Sequence, residues 1–409
     1  MPYQRIEKLL ASELAELESS GGSKGPETVF AGVIPPADGH GPRYLLAGEG
    51  GRHFLRMNSN SYLGMGLRSE IMEAEEDAVR IFGTGPGAVR FISGTWSPHI
   101  ELEQKLAAFH GREAAMIFSS AYASVMGVLP SLITPDTAVI SDALNHNSII
   151  NALRLARPRE KWVYGHLDMA ELEDHLQQAA KQCSRAIIIT DGIFSMRGDH
   201  APLGDIMELA RRYDTSFAEN VLVAVDDSHG VGAFGATGRG TEEHTDSGSV
   251  DLLIATLGKA FGVNGGYVAA SRVIIDYLRE KSPFYIYSNP ITPGEAAAAA
   301  RALDILDSPP GVSLLDHLRA MTERFERGLI SLGHETIPGS HPIVPLMIRD
   351  TARTSALVGH LRNHGVLATG LNFPVVPRGD EEIRFQISAD HTQADVDEAL
   401  GVLEKFRIS

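Results

Sequence analysis

The chain has 409 residues, 43% hydrophobic and 22% charged, the proportions of a globular protein large enough for two or more domains or one large α/β domain with an appendage. Its formal net charge of -16 argues against a nucleic-acid or anionic-membrane partner, which calls for a basic face. The single cysteine, Cys183, excludes an intrachain disulfide, and the lack of a signal peptide or bilayer-length apolar run points to the cytoplasm.

In chain order, residues 3–18 predict an amphipathic helix with Ile6, Leu9, Leu10, Leu14 and Leu17 on one stripe, to be covered by a partner subunit or by the main body. Residues 19–42, rich in Gly, Pro and Ser, read as an extended linker, and 43–57 as a small hairpin. Strand patterns follow at 114–119, 138–141, 162–164, 186–190, 221–226, 252–256 and 266–270. Helical patterns at 99–110, 169–182 and 203–213 separate several of them. This alternation predicts an α/β fold, a mostly parallel sheet with helices on both faces. Several of the strands are continuously apolar, as strands covered on both faces are. The alanine-rich helix at 294–307 marks a boundary. Beyond it come helix 314–332, strand 343–348, helix 353–365, strand 382–388 and helix 392–407, a small C-terminal α+β domain. The expected division is 1–56 for the N-terminal helix, linker and hairpin, 57–293 for the large domain and 294–409 for the small one.

Ligands of such sheets bind beyond the carboxyl ends of the strands. Five of these ends carry polar residues. Ala115-Met116-Ile117-Phe118 leads into Ser119-Ser120-Ala121-Tyr122, a small-residue helix start suited to an anion, or simply an N-cap. Val139-Ile140 leads to His146, a flat ring for a planar ligand or a polar helix-start residue. Ile187-Ile188-Ile189 leads to Ser195, with no G-x-S-x-G elbow around it to make it a hydrolase nucleophile. Val223-Ala224-Val225 ends in Asp226-Asp227-Ser228-His229, where a buried carboxylate needs a cationic partner; polar loop residues or a metal site are the alternatives, and no metal-ligand spacing is present. Leu252–Thr256 leads to Gly258-Lys259, an amine that desolvation turns into a nucleophile toward carbonyls, or an ordinary surface lysine.

One ligand accounts for all five: an aldehyde for Lys259, a phosphate for the 119–124 turn, a ring nitrogen for Asp226, a phenolic oxygen for Ser195 and His229, and a planar face for His146. That ligand is pyridoxal 5′-phosphate, for which a Schiff-base lysine and an acidic partner to the ring nitrogen are the protein's usual contribution.

From about residue 54 to the C-terminus the chain resembles the α-oxoamine synthase family of fold-type I pyridoxal-phosphate enzymes. The resemblance rests on Asn60-Ser61-Tyr62-Leu63-Gly64, Val89-Arg90-Phe91-Ile92-Ser93-Gly94-Thr95, Asp142-Ala143-Leu144-Asn145-His146, Asp191-Gly192-Ile193-Phe194-Ser195-Met196, Asp226-Asp227-Ser228-His229 and Thr256-Leu257-Gly258-Lys259-Ala260. It implies a catalytic set of Lys259, Asp226, His229 and His146. Ala121, Tyr122 and Thr256 would hold the phosphate, Ser288 would reach it from the other subunit of a homodimer, and Asn60 and Arg384 would bind the amino acid's carboxylate. It also implies a small amino acid and an acyl-CoA or acyl-carrier-protein thioester as substrates. Segments such as Asn372-Phe373-Pro374-Val375-Val376-Pro377 resemble the members that join glycine to acetyl-CoA. Members that make 8-amino-7-oxononanoate, serine palmitoyltransferase-like members and carrier-protein-dependent members are the alternatives. Arg197 departs from the members that join glycine to acetyl-CoA, which usually have an acidic residue there. Outside this activity stand a fold-type I aminotransferase or aldolase and a non-catalytic partner subunit.

Overall fold

The computed structural model of the chain describes residues 3–19, 23, 25–373 and 375–406. Residues 20–22 and 24 of the expected linker, Pro374 and residue 407 of the expected last helix lie outside the described residues. The chain forms two compact units, a larger one of Asn60–Thr322 with Gly339–Pro342, and a smaller one of Met1–Ser59, Glu323–Pro338 and Ile343–Ser409.

The larger unit is built on β1 (Ala114–Phe118), β2 (Thr137–Asp142), β3 (Glu160–Tyr164), β4 (Arg185–Asp191), β5 (Val221–Asp226), β6 (Leu252–Thr256) and β7 (Gly266–Ala270). They form one sheet in the order β1-β7-β6-β5-β4-β2-β3. From β6 to β3 the strands are parallel, and β7 runs antiparallel to both β1 and β6. The short connection from β6 to β7 leaves no room for a crossover, so that pair must turn back on itself. Side chains alternate between faces along each strand. Ile187 and Ile189 thus join an apolar layer with Val125, Leu129, Ile149 and Leu278, while Ile188 joins another with Leu172, Leu176, Leu203 and Ile206. Each such side chain contributes roughly 1.5–3 kcal/mol on burial, and the paired layers fix every strand end in place.

The expected boundary at 294 is corrected by the structure. Helix Pro293–Leu306 lies inside the larger unit, where it packs on helices Ser69–Phe82 and Ser97–Phe109. Its alanines allow that close approach, and Ala296, Ala298, Ala299 and Ala302 are all buried.

In the smaller unit, Arg43–Leu46 and His53–Arg56 pair as the expected hairpin. The segment read as linker supplies a further strand, Phe30–Ile34, and Val366–Leu367 pairs parallel with His53–Arg56. A second sheet runs in the order Glu335–Thr336, Ile343–Met347, Glu382–Gln386, Thr369–Leu371. The N-terminal helix spans Gln4–Ser19, but Ile6, Leu9, Leu10, Leu14 and Leu17 are 48–66% exposed, so the cover expected from the main body is not found. Cys183 is buried, and burial pushes its thiol pKa up. Among the described residues no helix is long and apolar enough to cross a membrane.

A buried ion network fastens the edge of the large sheet. Glu103 accepts from Arg90 through both guanidinium nitrogens (3.1 and 3.2 Å), from Arg279 (2.8 Å) and from the backbone of Ile117 in β1 (3.1 Å). The Arg90 and Glu103 side chains are only 3% and 6% exposed. Removing Glu103 therefore strands a buried guanidinium. Glu103→Ala is expected to cost about 3–5 kcal/mol, and Glu101→Ala, which removes an exposed partner of Lys105, under about 1 kcal/mol. Urea unfolding of both variants checks this, and equal losses would refute it.

Candidate active site

Five of the parallel strands end on one side of the sheet, and the loops that leave β2, β4, β5 and β6 there, with the helix start after β1, enclose a cavity of about 260 Å³. The structure brings together in its wall Ala121, Tyr122, His146, Ser195, Asp226, His229, Thr256 and Lys259, with Ser120, Ser148, Asp191, Ile193 and Ser228 between them.

Ser120 caps helix Ala121–Leu132, its hydroxyl accepting from the Ala123 amide at 3.1 Å. Among the described residues the amides of Ala121 and Tyr122 meet no protein acceptor. They are the unsatisfied donors of a helix start, with the positive end of the dipole behind them. Gly266 in β7 makes this geometry possible, because a Cβ there would collide with the Ala121 backbone. Across the cavity the Thr256 hydroxyl donates to the Gly265 carbonyl at 3.1 Å and accepts from the Gly258 amide at 3.0 Å, shaping the turn that carries Lys259.

Asp226 and Asp191 end adjacent strands in register and are both buried. Ser228 N donates to Asp226 at 3.2 Å, and His146 N to Asp191 at 3.0 Å. Burial, then the Asp226 charge, push the Asp191 carboxyl well above the usual carboxylate range, against the pull of Lys259. The shift favours the protonated form of Asp191. Burial also lowers the His146 pKa, opposed by Asp226 and aided by Lys259, so its ring is uncharged at pH 7. The Ser148 hydroxyl lies 2.8 Å from His146 Nδ1 and fixes the ring at its helix start.

Asp227, beside Asp226, serves the frame. It accepts from Thr241 N and Oγ1, each at 2.7 Å, and burial pushes its pKa up to about 7. Gly192, Gly230 and Gly240 close around it so tightly that a Cβ on any of them would strike its carboxyl group. The starts of the Ser195 and His229 loops are thereby tied to one point.

His229 meets Tyr62 Oη through Nδ1 at 2.7 Å, and Tyr62 also reaches Asn60 Oδ1 at 3.4 Å. Asn60 is not among the cavity's lining residues, nor is Ser288, whose hydroxyl donates to the Asn289 carbonyl at 3.4 Å. Arg384 belongs to the smaller unit, half-buried in strand Glu382–Gln386 opposite Pro345 and Thr369.

The sequence alone marks no role for Tyr62, Asp191, Asp227 or His166. Tyr62 and Asp191 stand in quoted motifs, yet only tertiary packing reveals their contacts. His166 had no signal at all beyond its place just after β3. Its Nδ1 lies 3.1 Å from Asp142 and its Nε2 3.2 Å from Asp199, so both nitrogens face carboxylates and the ring is a cation. Asp199 also accepts from Arg197 Nε at 2.8 Å, and its carbonyl takes the Phe194 amide, closing the loop that presents Ser195. Burial would lower the His166 pKa, but Asp142 and Asp199 override it and raise it to about 9. Its folded value lies above the ordinary one, near 6.5, so the clamp's stabilisation is complete below pH 6.5 and is lost as the pH rises through about 9. Unfolding measured from pH 6 to 10 should show that decline in the wild type and not in His166→Gln; equal slopes would exclude the clamp.

The family model for aminotransferase class I and II matches residues 52–403. The chain is 42% identical over 353 residues to 8-amino-7-oxononanoate synthase of Bacillus pumilus, covering 86% of this chain and 87% of the relative. It is 40% identical over 359 residues to human mitochondrial 2-amino-3-ketobutyrate coenzyme A ligase, covering 87% and 83%. Among solved structures, Sphingomonas wittichii serine palmitoyltransferase superposes with a TM-score of 0.87 at 26% identity, over 98% of this chain and 97% of that one. With a fold of this class and a lysine, a buried aspartate and a helix start around one cavity, the chain belongs to the aminotransferase class I and II family, as a pyridoxal-phosphate-dependent acyltransferase of the α-oxoamine synthase group.

Proposed function

We propose that this acyltransferase joins alanine to a seven-carbon acyl thioester that ends in a carboxylate, releasing the thiol and carbon dioxide. The observation that carries the reading of the site is the meeting of Lys259 with the buried Asp226 in one cavity. The choice of substrates follows the name of the Bacillus pumilus relative. Taken as a carbon skeleton, 8-amino-7-oxononanoate is the methyl and α-carbon of alanine attached to a seven-carbon acid, with the amino acid's carboxyl lost. The second reading, glycine with acetyl-CoA, is the one the sequence segments favour and is supported by the likeness to the human ligase.

The residues present fit the cofactor. Ser228 Oγ is buried in the cavity wall with no protein partner, the amides of Ala121 and Tyr122 await an anion, and Asp226 has Ser228 N as its one protein donor among the described residues. Pyridoxal phosphate, when bound, supplies an aldehyde for the amine and a ring that accepts the electron pair left at the α-carbon. Lys259 holds the cofactor through Nζ and moves the α-proton. Asp226 keeps the proton on the ring nitrogen, while burial and Asp226 itself push Asp191 beside it toward the neutral form. His146, neutral and fixed by Ser148, offers its flat face. Ser195 and His229 bear on the phenolic oxygen. The helix start at Ala121 and Tyr122, with Thr256, orients the phosphate, helped by Ser288 from a second copy in a homodimer. Asn60 contacts the amino acid's carboxylate. Arg384 is likewise proposed as a carboxylate ligand, a role that suits its planar fork. The cytoplasm is the proposed location.

Visible absorbance of the purified protein, titrated separately with alanine, glycine and serine, tests the amino acid. A saturable change with alanine, then thiol release from a seven-carbon ω-carboxyacyl thioester but not from acetyl-CoA, is expected. Thiol release from acetyl-CoA with glycine instead would favour the second reading. Lys259→Ala should abolish turnover while still binding the cofactor, and near-normal turnover would sink the lysine's role. Asp226→Asn should weaken cofactor binding by about 100-fold or more. Asp191→Asn, which mimics the neutral carboxyl that its raised pKa favours, should change it by less than about 3-fold. Equal effects would overturn the division between the two acids.

A further inference from the structure

A buried polar contact lies behind His229. Tyr62 has no exposed surface, and its Oη is 2.7 Å from His229 Nδ1. The same hydroxyl is 3.4 Å from Asn60 Oδ1. Hydroxyl donors favour about 2.7–2.8 Å and N–H donors about 2.9–3.0 Å, so the 2.7 Å contact points to the phenol giving its one proton to Nδ1 rather than across the longer contact to Asn60. A neutral imidazole whose Nδ1 accepts carries its own proton on Nε2. Its action on anything in the cavity then runs through an Nε2–H donor, the form suited to an anionic oxygen.

The packing around this pair leaves it little freedom. His341, 1% exposed, stands edge-on to the Tyr62 ring with centroids 5.3 Å apart, and its Nε2 is 2.9 Å from the His229 carbonyl. Burial pushes the His341 pKa down to about 3, so it is a neutral donor to that carbonyl. The His229 backbone and ring are therefore held from two sides, by His341 and by Tyr62.

We propose that Tyr62 is a positioning residue, whose hydroxyl selects the Nε2–H tautomer of His229 and aims that N–H at the bound cofactor's oxygen. The inference rests on the acyltransferase reading only for what His229 then does. The tautomer itself belongs to the chain without cofactor and can be measured there, so failure of one does not imply failure of the other.

Two-bond proton–nitrogen correlation spectra of the ¹⁵N-histidine-labelled chain without cofactor, with His229 assigned from its loss in His229→Asn, read the tautomer directly. The wild type should be protonated at Nε2, and Tyr62→Phe, which removes one oxygen from a buried ring, should give a mixture. A wild type protonated at Nδ1, or an unchanged tautomer in Tyr62→Phe, would overturn the proposal. In the cofactor-loaded enzyme, Tyr62→Phe should lower kcat about 10-fold with little change in KM for the amino acid. The double variant with His229→Asn should be no slower than His229→Asn alone, within about 2-fold. Multiplying losses would mean that Tyr62 acts on something other than His229. A thermal melt of Tyr62→Phe within a few degrees of the wild type is expected, and a large drop would point instead to a merely structural hydroxyl.

Discussion

A carboxylate held out of water at the end of a buried strand is the constraint on which this site depends. Asp226 is 7% exposed, and the strand beside it ends in a second acid. Two adjacent buried charges of one sign cannot both persist. Burial and the neighbouring Asp226 push Asp191 toward its protonated form, with Lys259 pulling the other way. A ligand that brings a protonated ring nitrogen completes the balance. The site is thus electrostatically preorganised for a cationic ring before anything binds.

The histidines around it show how one side chain takes different states from different surroundings. His146 is neutral because burial outweighs the attraction of Asp226. His166 is a cation because each nitrogen meets a carboxylate. His341 is neutral and deep behind the cavity, and His229 is governed by a phenol. These assignments follow from partners and burial, and none follows from the residue type.

Much of the larger unit was legible in the sequence. Continuous apolar strands such as Ile187-Ile188-Ile189 and Leu252–Ala255 announced burial on both faces, and each ended in polar residues that the fold gathers around one cavity. What local patterns did not carry were decisions made by packing at a distance. The strand Phe30–Ile34 lies in a segment rich in turn formers and exists because a hairpin edge offers it partners. The alanine-rich helix looked like a boundary, yet its small side chains suit it to lie against two other helices of the same unit. Tyr62 and His166 were invisible as functional residues for the same reason, since their partners stand far off in the chain.

The cage around Asp227 limits how this protein can change. Three glycines from two loops, Gly192, Gly230 and Gly240, surround one carboxyl group, and each leaves no room for a methyl. A side chain at any of them is tolerated only if Asp227 first becomes smaller, and a smaller residue there strands the two donors of Thr241. Neither step is harmless alone, so these positions are locked to one another. In an evolving or mutagenised population they should vary together or not at all, a fitness valley written into the geometry of a single carboxyl group.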